Sequence, residues 1–439
     1  MKRIAGSLVL LVLFIGYTSA QEQTTAFVNA KIFTISGKPI ERGTMVVRGG
    51  KIVAVGESRT VQIPADAKRV DLGGRTLMPG LVDTHSHIGE GSGADGTSPI
   101  QPDVRIFDSL NPRSASLQRA QAGGITTVNI MPGSGHLNSG QTMYLKLRDD
   151  ARVLEDLVMY DKDGRMMGGI KFANGTNSLR TGGGNFPGTR SKSAALIREQ
   201  FIKAQEYREK IRKAEGDSSK MPSPDLAMQA LVEVLDGKRV VHFHTHRHDD
   251  IMTVLRLKEE FGFRLVLQHV SEAWKVADEI AKAGAASSII VIDSPGGKLE
   301  AMDLLMINGA ALEKAGALVG FHTDDPITDS RWFLRSAALA VRSGMSRDMA
   351  LYGMTLAGAK MLDMEERVGS LDVGKDADFI VLTGDPLSLY TVLEQTWVEG
   401  KMVFDRNRPE DRLAATGGFG AGLGRHVHLS CYEDMGGHQ

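Results

Sequence analysis

Five short pieces of this chain carry residues that hold metal ions or move protons. They are Asp83-Thr84-His85-Ser86-His87, Lys171 in Gly-Gly-Ile-Lys-Phe, His244 in Val-Val-His-Phe-His-Thr-His, His269 in Leu-Val-Leu-Gln-His, and Asp324 in Gly-Phe-His-Thr-Asp-Asp. Imidazole nitrogens and carboxylate oxygens are ligands for divalent ions. Cys431 is the only cysteine, so no thiolate cluster competes with them. The order His-x-His, Lys, His, His, Asp is that of a metal-centred hydrolase. Six ligands, His85, His87, Lys171, His244, His269 and Asp324, suit a bridged pair of ions.

Each residue has an expected role. His85 and His87 are two apart, so on a strand both rings lie on one face and reach one ion. Asp83 shares that face and is expected to orient them from below. Lys171, buried between Ile170 and Phe172, would lose its charge. The neutral amine can then take up carbon dioxide and become a carbamate, a carboxylate able to bridge two ions. In the run His242, His244, His246, His248, the ring at the end of the apolar stretch, His244, is the expected ligand. His242 reads as a packed core residue, His246 as a rim residue near substrate, and His248 as a loop residue. Asp324 is preferred to Asp325 as ligand and proton shuttle, and Asp325 reads as a helix N-cap. Arg247 and His136 are the remaining candidates for contacting substrate. Arg180 and Arg190 join Arg247 as cations that would hold a terminal carboxylate.

Every one of these pieces sits at or just past the end of a short apolar run, the pattern of a buried parallel strand. Runs over 125–130, 239–243, 264–267, 288–292 and 317–321 alternate with helical stretches over 191–214, 225–235, 251–261, 272–283 and 348–362. That alternation predicts an α/β chain with a (β/α)8 barrel, whose catalytic groups gather at the carboxyl ends of its strands. Strand-rich segments bracket it. Gly49-Gly50 and Glu399-Gly400 each join two β-type runs as hairpins. A β-sandwich assembled from both ends of the chain accounts for them. Residues 1–20 read as a signal peptide, 21–79 as the first part of the sandwich, 80–367 as the barrel, 368–407 as its second part, and 408–439 as a Gly-rich tail. The glycine-rich loop 175–190 follows the Lys171 strand and reads as a lid.

The remaining composition narrows the class. With 52 basic and 53 acidic residues the net charge is −1, which gives no basic face for nucleic acid. Met1-Lys2-Arg3, the apolar stretch to Gly16 and the small residues 18–20 predict export to a periplasm or the exterior, with no membrane attachment after cleavage. The tail reads as a flexible extension or an arm for a homo-oligomer.

The chain resembles the amidohydrolase superfamily, and most of all its imidazolonepropionase-like and Xaa-Pro dipeptidase-like branch. The resemblance rests on Leu77 to His87, on Ile170-Lys171-Phe172-Ala173-Asn174-Gly175, on the His244 and His269 strands, on His322 to Pro326, and on the run from Val368 to Leu382. It implies one or two divalent ions, often zinc. The expected activity is hydrolysis of a carbon–nitrogen bond in a cyclic amide, an acyl amino acid or a dipeptide. The alternatives are a dipeptidase or carboxypeptidase, a mononuclear deaminase, and a non-catalytic binding protein. The His-rich strand, with His246 and His248, departs from many relatives.

Overall fold

The computed structural model describes residues 23–149, 151–180, 184–292 and 298–418. The expected signal segment 1–20 lies outside them, as do Cys431 and most of the expected tail. The chain is a mixed α/β fold. Its first strands are β1 (Thr25–Ile32), β2 (Ile40–Arg48), β3 (Lys51–Glu57), β4 (Lys68–Asp71) and β5 (Thr76–Pro79). After the middle of the chain come β15 (Phe379–Leu382), β16 (Leu393–Val398) and β17 (Lys401–Asp405). Hydrogen bonds join these eight strands into one sheet, ordered β17-β16-β15-β5-β1-β2-β3, with β4 pairing on β1. The two ends of the chain therefore build one unit, because β15 pairs antiparallel with β5 from Phe379↔Pro79 to Leu382↔Thr76. Both expected hairpins form, with Gly49, Gly50 and Gly400 in the left-handed region that glycine adopts without strain.

The site strands are β6 (Leu81–Ser86), β7 (Ile125–Ile130), β8 (Asn138–Gln141), β9 (Met143–Lys146), β10 (Ile170–Ala173), β11 (Val241–Thr245), β12 (Leu265–His269), β13 (Ala286–Ile289) and β14 (Val319–Phe321). They form a six-stranded sheet, β14-β13-β12-β11-β10-β8, and a three-stranded sheet, β6-β7-β9. Pairing is parallel from β10 to β14 and between β6 and β7, while β8 and β9 run antiparallel to their neighbours. The two sheets meet at both margins. On one side β8 leads directly into β9. On the other the amide of Asp324 donates to the carbonyl of His85 at 2.9 Å.

Helices α1 (Ala115–Ala122), α2 (Arg190–Ala214), α3 (Leu226–Leu235), α4 (His248–Phe261), α5 (Ala277–Lys282), α6 (Asn308–Ala315), α7 (Phe333–Arg342), α8 (Arg347–Gly353), α9 (Leu356–Met361) and α10 (Pro409–Thr416) cover the strands. Several expectations are corrected. The helix read over 348–362 is two helices, since Thr355 leaves the helical region with φ −135° and ψ −91°. His248 is not on a loop but opens α4. The tail is not without structure, because α10 begins at residue 409 with proline in its first turn, where a missing N–H costs nothing. Gly123, just past α1, lies so close to Ser330 that an added Cβ would stand 2.1 Å from the Ser330 carbonyl oxygen. That approach seats α1 against the segment following β14.

Candidate metal centre

All six expected ligands come together at the carboxyl ends of β6, β10, β11, β12 and β14, the end where parallel strands leave side chains converging. His85, Lys171, His244 and His269 are buried, and Asp324 nearly so. His85 Nε2 lies 3.3 Å from His87 Nε2 and 2.9 Å from Lys171 Nζ. The Oδ1 of Asp324 is 3.2 Å from His85 Nε2 and 2.9 Å from His87 Nε2, and its Oδ2 is 4.0 Å from His269 Nδ1. His244 and His269 have ring centroids 4.3 Å apart. Two groups of ligand atoms, each within 4.8 Å of one another, share no residue: His85, His87, Asp324, and His244, His246, His269. A third, His85, His269, His322, lies between them.

Burial sets the protonation of these groups. It holds the imidazoles of His85, His244 and His269 well below the ordinary histidine range, and neighbouring cations and rings add to the effect. It brings His246 and His322 down to about 3. These rings are therefore neutral at physiological pH and keep a lone pair for an ion. Burial also brings Lys171 down to about 7, against a weaker opposing pull from Asp324. For Asp324 burial pushes the carboxyl up, but the hydrogen bond from His87 and the charge of nearby groups outweigh it, and the group stays below the usual carboxylate range.

The donor set fits a divalent ion. Both ring nitrogens of His244, Nε2 of His269 and Nδ1 of His85 are buried with no hydrogen-bond partner among the described residues. Leaving such a group unmatched costs about 1–3 kcal/mol, and all four belong to the three buried rings of the cluster. Three other rings of the cluster are held from behind. His87 Nδ1 faces the Met131 carbonyl at 2.7 Å, and His246 Nδ1 faces Ser271 Oγ at 2.7 Å. His322 Nδ1 faces Ser288 Oγ at 2.8 Å.

Asp83 does not orient the rings of His85 and His87, as expected from its position. Its carboxylate accepts from the backbone amides of His85 at 3.2 Å and Thr323 at 3.0 Å, and from Thr323 Oγ1 at 2.6 Å. It ties β6 to the segment after β14. His242 is the core residue it was read to be, between Tyr144 OH at 3.0 Å and Gln268 Nε2 at 3.1 Å. His246, assigned to the rim, stands beside His244 and His269 within the cluster. Arg247 pairs with Asp249 at 2.8 Å, and His136 Nε2 meets the Asp95 carbonyl at 2.8 Å with its ring 5.4 Å from that of Phe186. Arg190 pairs with Asp250, and Arg180 binds the carbonyls of Gly135 and Asn177. Asp325 does not cap a helix. Its carboxylate accepts from Arg119, Ser330 N and Ser330 Oγ. His322 belongs to the cluster but was not among the expected ligands. Its signal was the two-residue spacing to Asp324, the same spacing that marks His85 and His87.

The model of the Amidohydrolase family matches residues 76–403. The amidohydrolase tasK of Hapsidospora irregularis is 28% identical over 394 residues, 83% of this chain and 40% of its own length. The chain thus spans less than half of that relative. A 5-methylthioadenosine/S-adenosylhomocysteine deaminase of Symbiobacterium thermophilum is 23% identical over 79% of this chain and 81% of its own. Among solved structures, an amidohydrolase from Thermotoga maritima superposes with a TM-score of 0.81 at 35% identity, over 87% of this chain and 100% of that one.

Proposed function

Because the chain belongs to the amidohydrolase family, we propose that it is a metal-dependent hydrolase of carbon–nitrogen bonds in amides or cyclic amides. It would hold one or two divalent ions, with zinc the first candidate. The observation that carries this reading is the pair of ligand groups that share no residue, His85, His87, Asp324 and His244, His246, His269, with both ring nitrogens of His244 and Nε2 of His269 in the second group buried without a hydrogen-bond partner among the described residues. The two site sheets, joined at β8–β9 and between Asp324 and His85, support a (β/α)8 barrel as the scaffold. In the eight-stranded sheet Phe27 of β1 packs against Phe379 of β15 at 4.8 Å and Trp397 of β16 at 5.0 Å, which supports a sandwich folded on its own core. The basic and apolar start of the chain supports export.

A divalent ion held by these residues would polarise the scissile carbonyl and make water a better nucleophile. The protein's own groups do the rest. Asp324, ionised and next to His87, takes the proton of the attacking water and delivers it to the leaving nitrogen. His87, His246 and His322 stay fixed by Met131, Ser271 and Ser288, so little is lost to reorganisation. Arg247 and His136 are the candidates for contacting substrate in this reading, His246 being drawn into the second ligand group.

The direct assay is a screen of N-acyl amino acids, dipeptides and cyclic amides on the zinc-loaded chain. We expect hydrolysis in at least one class, lost on chelation and restored by zinc. No hydrolysis in any class would favour a binding protein.

Lys171 adds a second test. Its amine is neutral above about pH 7, and only the neutral amine adds to carbon dioxide, losing a proton to leave a carbamate. Reactivation of metal-stripped protein with zinc should therefore need bicarbonate and proceed faster at pH 8 than at pH 6. Lys171→Ala should lose one ion, with partial return of activity on adding acetate or propionate. A free amine at Lys171 in a crystal with both ions bound would count against the carbamate.

A further inference from the structure

Asp324 sits in the left-handed region with φ 50°. A residue with a Cβ is held there at a cost of roughly 1 kcal/mol or more, so its surroundings must impose the conformation. Its own amide donates to the His85 carbonyl at 2.9 Å and its carbonyl accepts from Ile327 N at 2.7 Å, and the rest of the turn is held by the next residue, Asp325. Its amide donates to Thr323 Oγ1 at 3.0 Å, and its carbonyl accepts from the amide of His87 at 3.2 Å. Its side chain is buried, with one oxygen taking Ser330 N at 2.8 Å and Ser330 Oγ at 2.7 Å. The other oxygen takes Arg119 Nη2 of α1 at 2.6 Å. Thus the residue after the shuttle is bonded to the backbone of one expected ligand and to a helix outside the strands. Gly123 keeps α1 within reach of Ser330.

We propose that Arg119 is a positioning residue for Asp324. Its guanidinium anchors the Asp325 carboxylate, and Asp325 in turn holds the His87 amide and the strained turn that aims Asp324. Among the described residues the ion partners of Arg119 are Asp325 and, at 3.9 Å, Asp329, neither of them an expected ligand. The proposal rests on Asp324 being the shuttle. A lysine would keep the charge but not the planar fork, so it would hold the carboxylate in a less defined position. The arginine side chain is 23% exposed, so a small cation from solvent can enter the space that its removal leaves.

The test uses the full chain loaded with cobalt, whose visible absorption bands report the ligand field around Asp324. In Arg119→Gly we expect these bands to shift. Turnover on the best screened substrate should fall about 10²-fold, the scale of a reacting group displaced by roughly 1 Å, with KM within about threefold. Methylguanidinium should restore both, and sodium chloride at equal ionic strength should restore neither. Arg165→Gly, which removes an exposed guanidinium paired with Asp161, should leave bands and turnover unchanged. Unshifted bands with normal turnover would overturn the proposal, and so would a loss in folded protein that methylguanidinium does not repair. If Arg119→Gly does not fold, Arg119→Lys is read instead. Lower turnover at near-normal KM is expected, and wild-type turnover would overturn the proposal. Asp324→Asn measured in parallel separates the two levels. Near-normal turnover there removes the shuttle and this proposal with it. An inactive Asp324→Asn beside normal Arg119 variants removes the role of Arg119 alone.

Discussion

Asp324→Asn should lower turnover by roughly 10²–10⁴-fold, the usual contribution of general acid–base catalysis, while most bound metal stays. Asparagine keeps the shape and still offers an oxygen, but it cannot accept a proton. At that end the ring of His87 does not depend on the lost charge for its orientation, since the Met131 carbonyl holds it. The low-pH limb of the wild-type rate profile should report protonation of the shuttle. Because the carboxyl lies below the ordinary carboxylate range, activity should persist to a pH below about 4 before this limb appears, provided the fold survives. Metal content and turnover must be measured on the same preparation. Full metal with near-normal turnover would turn attention to His322, which shares the site.

The second large effect concerns stability. Lys146, at the end of β9, is completely buried. Its ammonium bonds to Asp376 and lies 3.1 Å from Asp378 and 3.3 Å from Glu399. Those carboxylates belong to the eight-stranded sheet and its approach, so one lysine pins that sheet to the site strands. Lys146→Met removes the cation and leaves buried carboxylates short of a partner. Breaking a buried pair in this way costs about 3–5 kcal/mol. The lower end is expected here, because Asp376 also bonds to Lys51 at 2.5 Å and Arg367 at 2.9 Å. Burial pushes the Asp376 carboxyl up, yet Lys146 and the other cations bring it down to about 2. Its folded value is thus depressed. The stability it contributes is present above the unfolded value, near 4, and is lost as pH falls from about 4 to about 2. Urea midpoints of wild type and Lys146→Met should therefore converge as pH drops through that window. Equal midpoints at pH 7 would show that the network contributes nothing net.

How much of this was legible in the chain follows from what each feature depends on. The clustering of the expected ligands was legible because each lies at or near the end of an apolar run, and because their order along the chain mirrors their order along neighbouring strands. The strand ends were less so. β11 runs to Thr245 rather than Phe243, since buried histidines continue a ladder that polarity suggests has ended. Asp83 misled because facing the same way as His85 does not put its oxygens near the ring; two backbone amides captured them first. His322 was not among the expected ligands, because the choice on its strand was made between Asp324 and Asp325. Lys146 could not be read as buried, because its main partner is 230 positions away. The break at Thr355 and the short helix α10 depend on packing that local propensity does not contain.

The most direct measurement is the metal content of the purified chain after loading with zinc and removal of free ion. The two ligand groups predict close to two ions per chain, falling toward one in Lys171→Ala. A chain that binds no transition metal under these conditions, while remaining folded, would contradict the hydrolase account.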